Sequence, residues 1–160
     1  MRELIAIAEQ IASRLIAREQ TIAVAESSSG GLIAAALLAV PGASAYFVGG
    51  AVVYTRDARR ILMDIPDAGM KGIRSASEPY AKLLAQQIRS RFNSDWGLSE
   101  TGATGPTGNR YGDSAGHCCI GIAGPAPAAI TIETGSADRV ANMQAFAGTA
   151  LKELLQQISR

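Results

Sequence analysis

Residues 21–31 constrain the fold of this chain more than any other stretch. Thr21-Ile22-Ala23-Val24-Ala25 is a short apolar run with β-branched residues and reads as a buried strand. It runs directly into Glu26-Ser27-Ser28-Ser29-Gly30-Gly31. Residues 32–40 behind that cluster are rich in Ala and Leu, which predicts a helix that stops at Pro41-Gly42. A strand, a polar turn and a helix in that order belong to an α/β domain. In an open α/β sheet such a junction lies where ligands bind, beyond the carboxyl end of a strand.

The flanking segments extend the pattern. Leu4, Ala8, Ile11 and Leu15 recur at helical spacing and predict an amphipathic helix over 4–16. Residues 45–55 read as a strand, with Gly49-Gly50 marking a bulge or a close backbone approach. A short helix is expected over 57–63, and a longer one from a capping box at Ser75 to Glu78, with Ser77 the alternative cap, to about Phe92. Residues 95–99 predict a short strand, followed by a Gly-rich loop over 100–113. Residues 117–123 and 129–133 form a hairpin around Gly124-Pro125, and a last helix capped by Ser136 runs through Leu155. The order α-β-α-β-α-α-β-β-β-α predicts an α/β fold, a three-layer α/β/α sandwich with a mixed sheet, as one domain over 1–160.

Composition removes several functions. Fifteen Lys and Arg against 14 Asp and Glu leave a net charge of +1, too little for a nucleic-acid footprint or a polybasic membrane patch. Hydrophobic content of 48% with 18% charged residues excludes a disordered chain. Apolar runs such as 32–40 fall short of the ~20 residues a membrane span needs. The only cysteines, Cys118 and Cys119, are adjacent and are expected to alternate across a strand as inert packing, and His117 is the only histidine. No disulfide framework, zinc site or other metal is expected. The first segment carries Glu3 and Glu9 and lacks a signal-peptide apolar run, so the expected location is cytoplasmic.

Two segments offer bare N–H groups suited to phosphate or carboxylate: 26–31 and 101–108. Neither ends in the Lys-Ser/Thr of a P-loop. Ser27, on a strand-to-helix turn, is the candidate nucleophile. A serine nucleophile needs a base. Lys71, in a loop, and His117 are the candidates, whereas Lys82 and Lys152 fall on charged helix faces.

These segments together resemble the CinA C-terminal domain family, whose bacterial members include nicotinamide-nucleotide (NMN) amidases. The family's Ala-Glu-Ser-Cys-Thr-Gly-Gly motif resembles Ala25-Glu26-Ser27-Ser28-Ser29-Gly30-Gly31. Its Pro-Gly-Ser-Ser-x-x-Phe stretch is similar to Pro41-Gly42-Ala43-Ser44-Ala45-Tyr46-Phe47, and its Gly-x-Val-x-Tyr segment to Gly50-Ala51-Val52-Val53-Tyr54. Its Val-Ser-Glu helix start resembles Ala76-Ser77-Glu78, and its Thr-Gly-x-Ala-Gly-Pro loop Thr101-Gly102-Ala103-Thr104-Gly105-Pro106. The resemblance implies a three-layer domain, usually a homo-oligomer, that hydrolyses the carboxamide of NMN with no metal or cofactor. The substrate partner would be a phosphorylated nucleotide, with no nucleic acid and no membrane. By motif, Ser27 would be the nucleophile and Tyr54 the supporting hydroxyl. Glu26, Ser29, Gly30 and Gly31, with Thr101, Gly102, Thr104 and Gly105, would bind substrate. The family's lysine is replaced by Arg59. A guanidinium stays protonated and supplies no general base. Arg59 would instead pair with Glu26 or clamp an anion, with Arg56 and Arg60 beside it. Two readings follow: an amidohydrolase, or a non-catalytic or altered-substrate module that binds a phosphorylated small molecule.

Overall fold

The computed structural model describes residues 1–160. Its helices are α1 (Arg2–Ala17), α2 (Leu32–Leu38), α3 (Arg56–Met63), α4 (Glu78–Phe92) and α5 (Arg139–Ile158). Its strands are β1 (Ile22–Glu26), β2 (Phe47–Val52), β3 (Trp96–Ala103), β4 (His117–Ala123) and β5 (Ala128–Glu133). The strands form one sheet in the order β2-β1-β3-β4-β5. β1 runs parallel to both neighbours, and β4 and β5 add antiparallel. The expected mixed sheet and element order are present, with helices on both faces.

Period-two alternation in the strands divides the core. Ile22 and Val24 of β1 point with Trp96, Leu98, Cys118 and Ile120 into the larger core under α1, α2 and α5. Ala23 and Ala25 point to the other face, against Tyr80, Leu84 and Ile88 of α4. The stripe predicted for α1 is buried at Leu4, Ala8, Ile11 and Leu15. Helix α4 lies unusually close to the sheet because two facing positions lack side chains. A Cβ on Gly97 would sit 2.1 Å from the Ala85 carbonyl oxygen, and one on Gly121 would sit 2.4 Å from that of Ala81. Between them the Ser99 hydroxyl donates to the Ala81 carbonyl at 2.6 Å.

Three boundaries differ from the sequence reading. β3 continues to Ala103, so Glu100, Thr101 and Gly102 are strand residues paired with Ile120, Cys119 and Cys118 rather than loop. The cap of α5 is Asp138, whose carboxylate accepts the Ala141 N–H at 3.0 Å, in place of Ser136. The β2 strand is shorter than 45–55, and its irregularity falls where Ile22 pairs with Phe47 but Ala23 with Gly49. Gly50 is a close approach, since a Cβ there would lie 3.2 Å from the Val24 carbonyl oxygen. No helix is long and apolar enough to cross a membrane.

Candidate functional site

The chain leaves β1 for β2 on one side and later reaches β3 on the other. That reversal opens a crevice at the carboxyl end of β1. Ser27, the first residue beyond the strand, lines a cavity of about 790 Å³ there, together with Tyr54, Arg59, Thr101 and Gly102. Glu26, Ser29, Gly30, Gly31, Thr104 and Gly105 stand behind or beside the cavity and do not line it. Neither do Lys71 and His117.

The Ser27 turn is built from within. The Ser27 and Ser29 N–H groups donate to Glu100 Oε2 at 3.0 and 2.8 Å, and the Ser28 hydroxyl donates to Glu100 Oε1 at 2.6 Å. Gly30 and Gly31 turn the chain at φ +67° and +100°, a region that favours glycine. Gly31 is also the N-cap of α2 and has no side chain to offer. Glu26 does that work from the strand, accepting the Ile33 and Ala34 N–H groups at 3.1 and 2.9 Å. The N–H group that the sequence offers to an external anion at Ser29 is therefore occupied by a buried carboxylate of the chain itself. Of the three serines, Ser28 and Ser29 spend their hydroxyls on Glu26 and Glu100. Only the Ser27 hydroxyl has no partner in the chain, and it borders the cavity.

Arg59 is on the opposite wall and is 6% exposed. It does not pair with Glu26. Its Nε donates to the Ile65 carbonyl at 3.1 Å and its Nη2 to Asp67. Asp67 also accepts from Arg56, at 3.1 and 2.6 Å, and from Arg60. These bonds, Arg56 first, then Arg60 and Arg59, hold the Asp67 carboxyl well below the usual carboxylate range. Three guanidiniums thus share one carboxylate, and Asp57 reaches only Arg60, at 3.3 Å. Arg110, also lining the cavity, forms no ion pair and donates to the Tyr111 hydroxyl at 3.0 Å. That bond chiefly lowers the Tyr111 phenol below its usual range. Arg74 lies 5.2 Å and Arg110 5.1 Å from the Tyr111 ring centre. Arg74 is itself held bidentately by Asp113 at 2.6 and 3.0 Å. The result is a cavity rim with a surplus of fixed positive charge.

Proton acceptors are scarce. Arg59 cannot lose its proton, and Asp67 is engaged by three cations. Burial pushes the Tyr80 phenol, another lining group, up to about 12. Tyr54 is tied to the far side of the site by a residue that sequence reasoning missed. Arg139 Nη2 donates to the Tyr54 hydroxyl at 3.2 Å, and Nη1 donates to the Gly105 carbonyl at 2.6 Å. A signal was present in the sequence, because an arginine in the first turn of a helix opposes the helix dipole and calls for another reason to be there. Thr104 is fixed from the same helix by Asn142, whose Nδ2 donates to its carbonyl at 2.8 Å. Thr101 Oγ1 accepts the Ala76 N–H at 3.2 Å. Asp67 and Glu100 were missed as well. Glu100 acts through partners more than 70 residues away and Asp67 through arginines one short helix upstream, and no local motif marks either carboxylate.

The fold and the motifs agree with what the chain is similar to. Its superposition on the ComA competence/damage-inducible protein A of Klebsiella pneumoniae has a TM-score of 0.91 at 22% identity, covering 98% of both chains. On the CihA protein of Agrobacterium tumefaciens the TM-score is 0.88 at 24% identity. These two likenesses establish the fold. Among curated relatives, the CinA-like protein of Chlorobium limicola is 38% identical over 151 residues, 91% of this chain and 35% of that protein. The CinA-like protein of Desulforapulum autotrophicum is 35% identical over 159 residues, 98% of this chain and 37% of that protein. The chain thus spans little more than a third of the length of these relatives. The model of the CinA C-terminal domain matches residues 4–158, nearly the whole chain, and the chain belongs to that family.

Proposed function

We propose that the cavity binds a phosphorylated small molecule of the pyridine-nucleotide kind. The observation that carries this reading is the surplus of guanidinium charge, fixed by Asp67 and extended by Arg110, on a rim otherwise poor in carboxylates. Guanidiniums match phosphate oxygens in geometry and charge. The α2 turn is closed by internal carboxylates, so the ligand's anion belongs on the arginine side and its remaining part extends toward Ser27.

A second reading, serine amidohydrolysis, is favoured by the unpartnered Ser27 hydroxyl. Its oxygen would attack the carboxamide carbon of NMN, ammonia would leave, and water would release the acid. Arg59 would serve as an anion clamp in place of a base. The measurements are calorimetry against NMN and related nucleotides and an ammonia-release assay. Nucleotide binding that weakens at least tenfold in Arg56→Ala supports the first reading, and no binding at millimolar concentration rejects it. Ammonia release that vanishes in Ser27→Ala supports the second. Its absence in the wild type, together with binding, leaves the binding module alone. In that case Arg59→Lys tests whether an amine restores turnover.

A further inference from the structure

Behind the Ser27 turn two buried carboxylates meet at one hydroxyl. Ser29 Oγ lies 2.7 Å from Glu26 Oε2 and 2.8 Å from Glu100 Oε2. A hydroxyl has one proton, so it donates to only one of them. The second contact is a hydrogen bond only if that carboxyl brings a proton of its own. Glu26 is 1% exposed and Glu100 is fully buried, and neither forms an ion pair with any Lys, Arg or His. Two uncompensated charges in that position would be costly.

The surrounding donors decide which member is ionised. Glu100 faces five: the N–H groups of Ser27 and Ser29, the hydroxyls of Ser28 and Ser29, and the Cys118 thiol at 3.8 Å. Glu26 faces the Ile33 and Ala34 N–H groups and the Ser29 hydroxyl. We propose that Glu26 and Glu100 share one proton, held by Glu26 and passed through the Ser29 hydroxyl, and that the single remaining charge on Glu100 is the positioning group that presents Ser27 to the cavity. The chain of donation is then Glu26 O–H to Ser29 Oγ, and Ser29 O–H to Glu100. Burial, with Glu100 close by, raises the Glu26 carboxyl, against the hydrogen bonds from Ala34, Ser29 and Ile33. The other titratable group facing the pair is Cys118 of β4, whose thiol burial pushes well up, so it stays protonated as a donor. The charge assignment stands on hydrogen bonds alone. Its bearing on activity rests on Ser27 being the group that meets the ligand.

A carboxyl raised on folding contributes stability that is fully present below its ordinary value of 4.5 and is lost as pH rises through the folded value. Glu26→Gln keeps an amide oxygen for the Ala34 N–H and an N–H₂ donor for Ser29 and gives up only the acceptor of the Ile33 N–H, so it is expected to fold and to flatten that pH dependence. Glu100→Gln sets an amide donor against donors. Hydrogen exchange of the Ser27 and Ser29 amides, read by NMR, is expected to stay slow in Glu26→Gln and to accelerate roughly tenfold to a hundredfold in Glu100→Gln. Infrared spectra of the wild type at neutral pH are expected to show a protonated-carboxyl band that Glu26→Gln removes. Absence of that band in the wild type overturns the proposal even if both variants fail to fold. So does its loss in Glu100→Gln but not in Glu26→Gln, or equal acceleration of exchange in the two variants. None of these readouts requires turnover, so their failure is separable from failure of the nucleotide reading.

Discussion

His117 Nε2 lies 2.9 Å from the Ala76 carbonyl, and Nδ1 faces the Glu133 carboxylate. Both partners are acceptors, so both contacts are hydrogen bonds only when each ring nitrogen carries a proton, as in the imidazolium; the Cys119 thiol lies farther from Nε2, at 3.6 Å. Burial works against that charge, and the Glu133 and Ala76 hydrogen bonds, with Asp113 nearby, outweigh it and raise the pKa. Ala76 lines the cavity at φ +52°, a left-handed conformation uncommon for alanine. His117 thus holds the cavity wall from behind. As the raised member of its pair of states, it contributes stability fully present below 6.5 and lost as pH rises through its folded value. NMR titration of this only histidine should place its midpoint above 6.5, and His117→Phe should remove the corresponding slope in thermal stability. A midpoint at or below the ordinary value contradicts the arrangement. Ser27 was legible in the sequence because a strand, three serines and two glycines mark a turn locally. Arg59 was legible as a position but not in its partner, since Asp67 sits in a segment with no motif.

Elements that pair locally were readable, and those made by distant pairing were not. The spacing of Leu4, Ala8, Ile11 and Leu15 was enough to predict α1. The end of β3 was not, because Glu100 and Gly102 have low strand propensity and become strand by pairing with β4. That misreading hid Glu100 in an expected loop. The contact of α4 with the sheet was equally invisible, since Gly97 and Gly121 matter for what faces them. Gly121→Ala would force a Cβ against the Ala81 carbonyl and should lower stability by about 1–3 kcal/mol in urea denaturation. Leu38→Ser, at an exposed position on α2, should stay within about 0.5 kcal/mol. Equal effects at the two sites would show that α4 can lift without cost.

The molecule as a whole places its arginine-rich rim and its Ser27 turn on either side of one crevice, and the sheet order creates that crevice. The layer architecture was readable because helical and strand periods alternate along the chain, whereas the strand order, which sets the cavity, leaves no trace in periodicity. The resemblance to the family also implies self-association. The chain exposes Val48 and Val52 on the edge strand β2 and Tyr54 just beyond it, a surface that suits contact with a second copy. Sedimentation equilibrium at micromolar concentration should give a mass above that of the monomer, and a monomer at all concentrations would remove that expectation. Of the three guanidiniums gathered on Asp67, those of Arg56 and Arg59 line the crevice, braced by that carboxylate in advance. Long cationic side chains ordinarily surrender much of their freedom when they first grasp a ligand. On the binding reading proposed above, part of that ordering is done once residues 56–67 have folded, so an incoming anion would meet guanidiniums already braced by Asp67, and an anion matching their spacing would be favoured over one that does not.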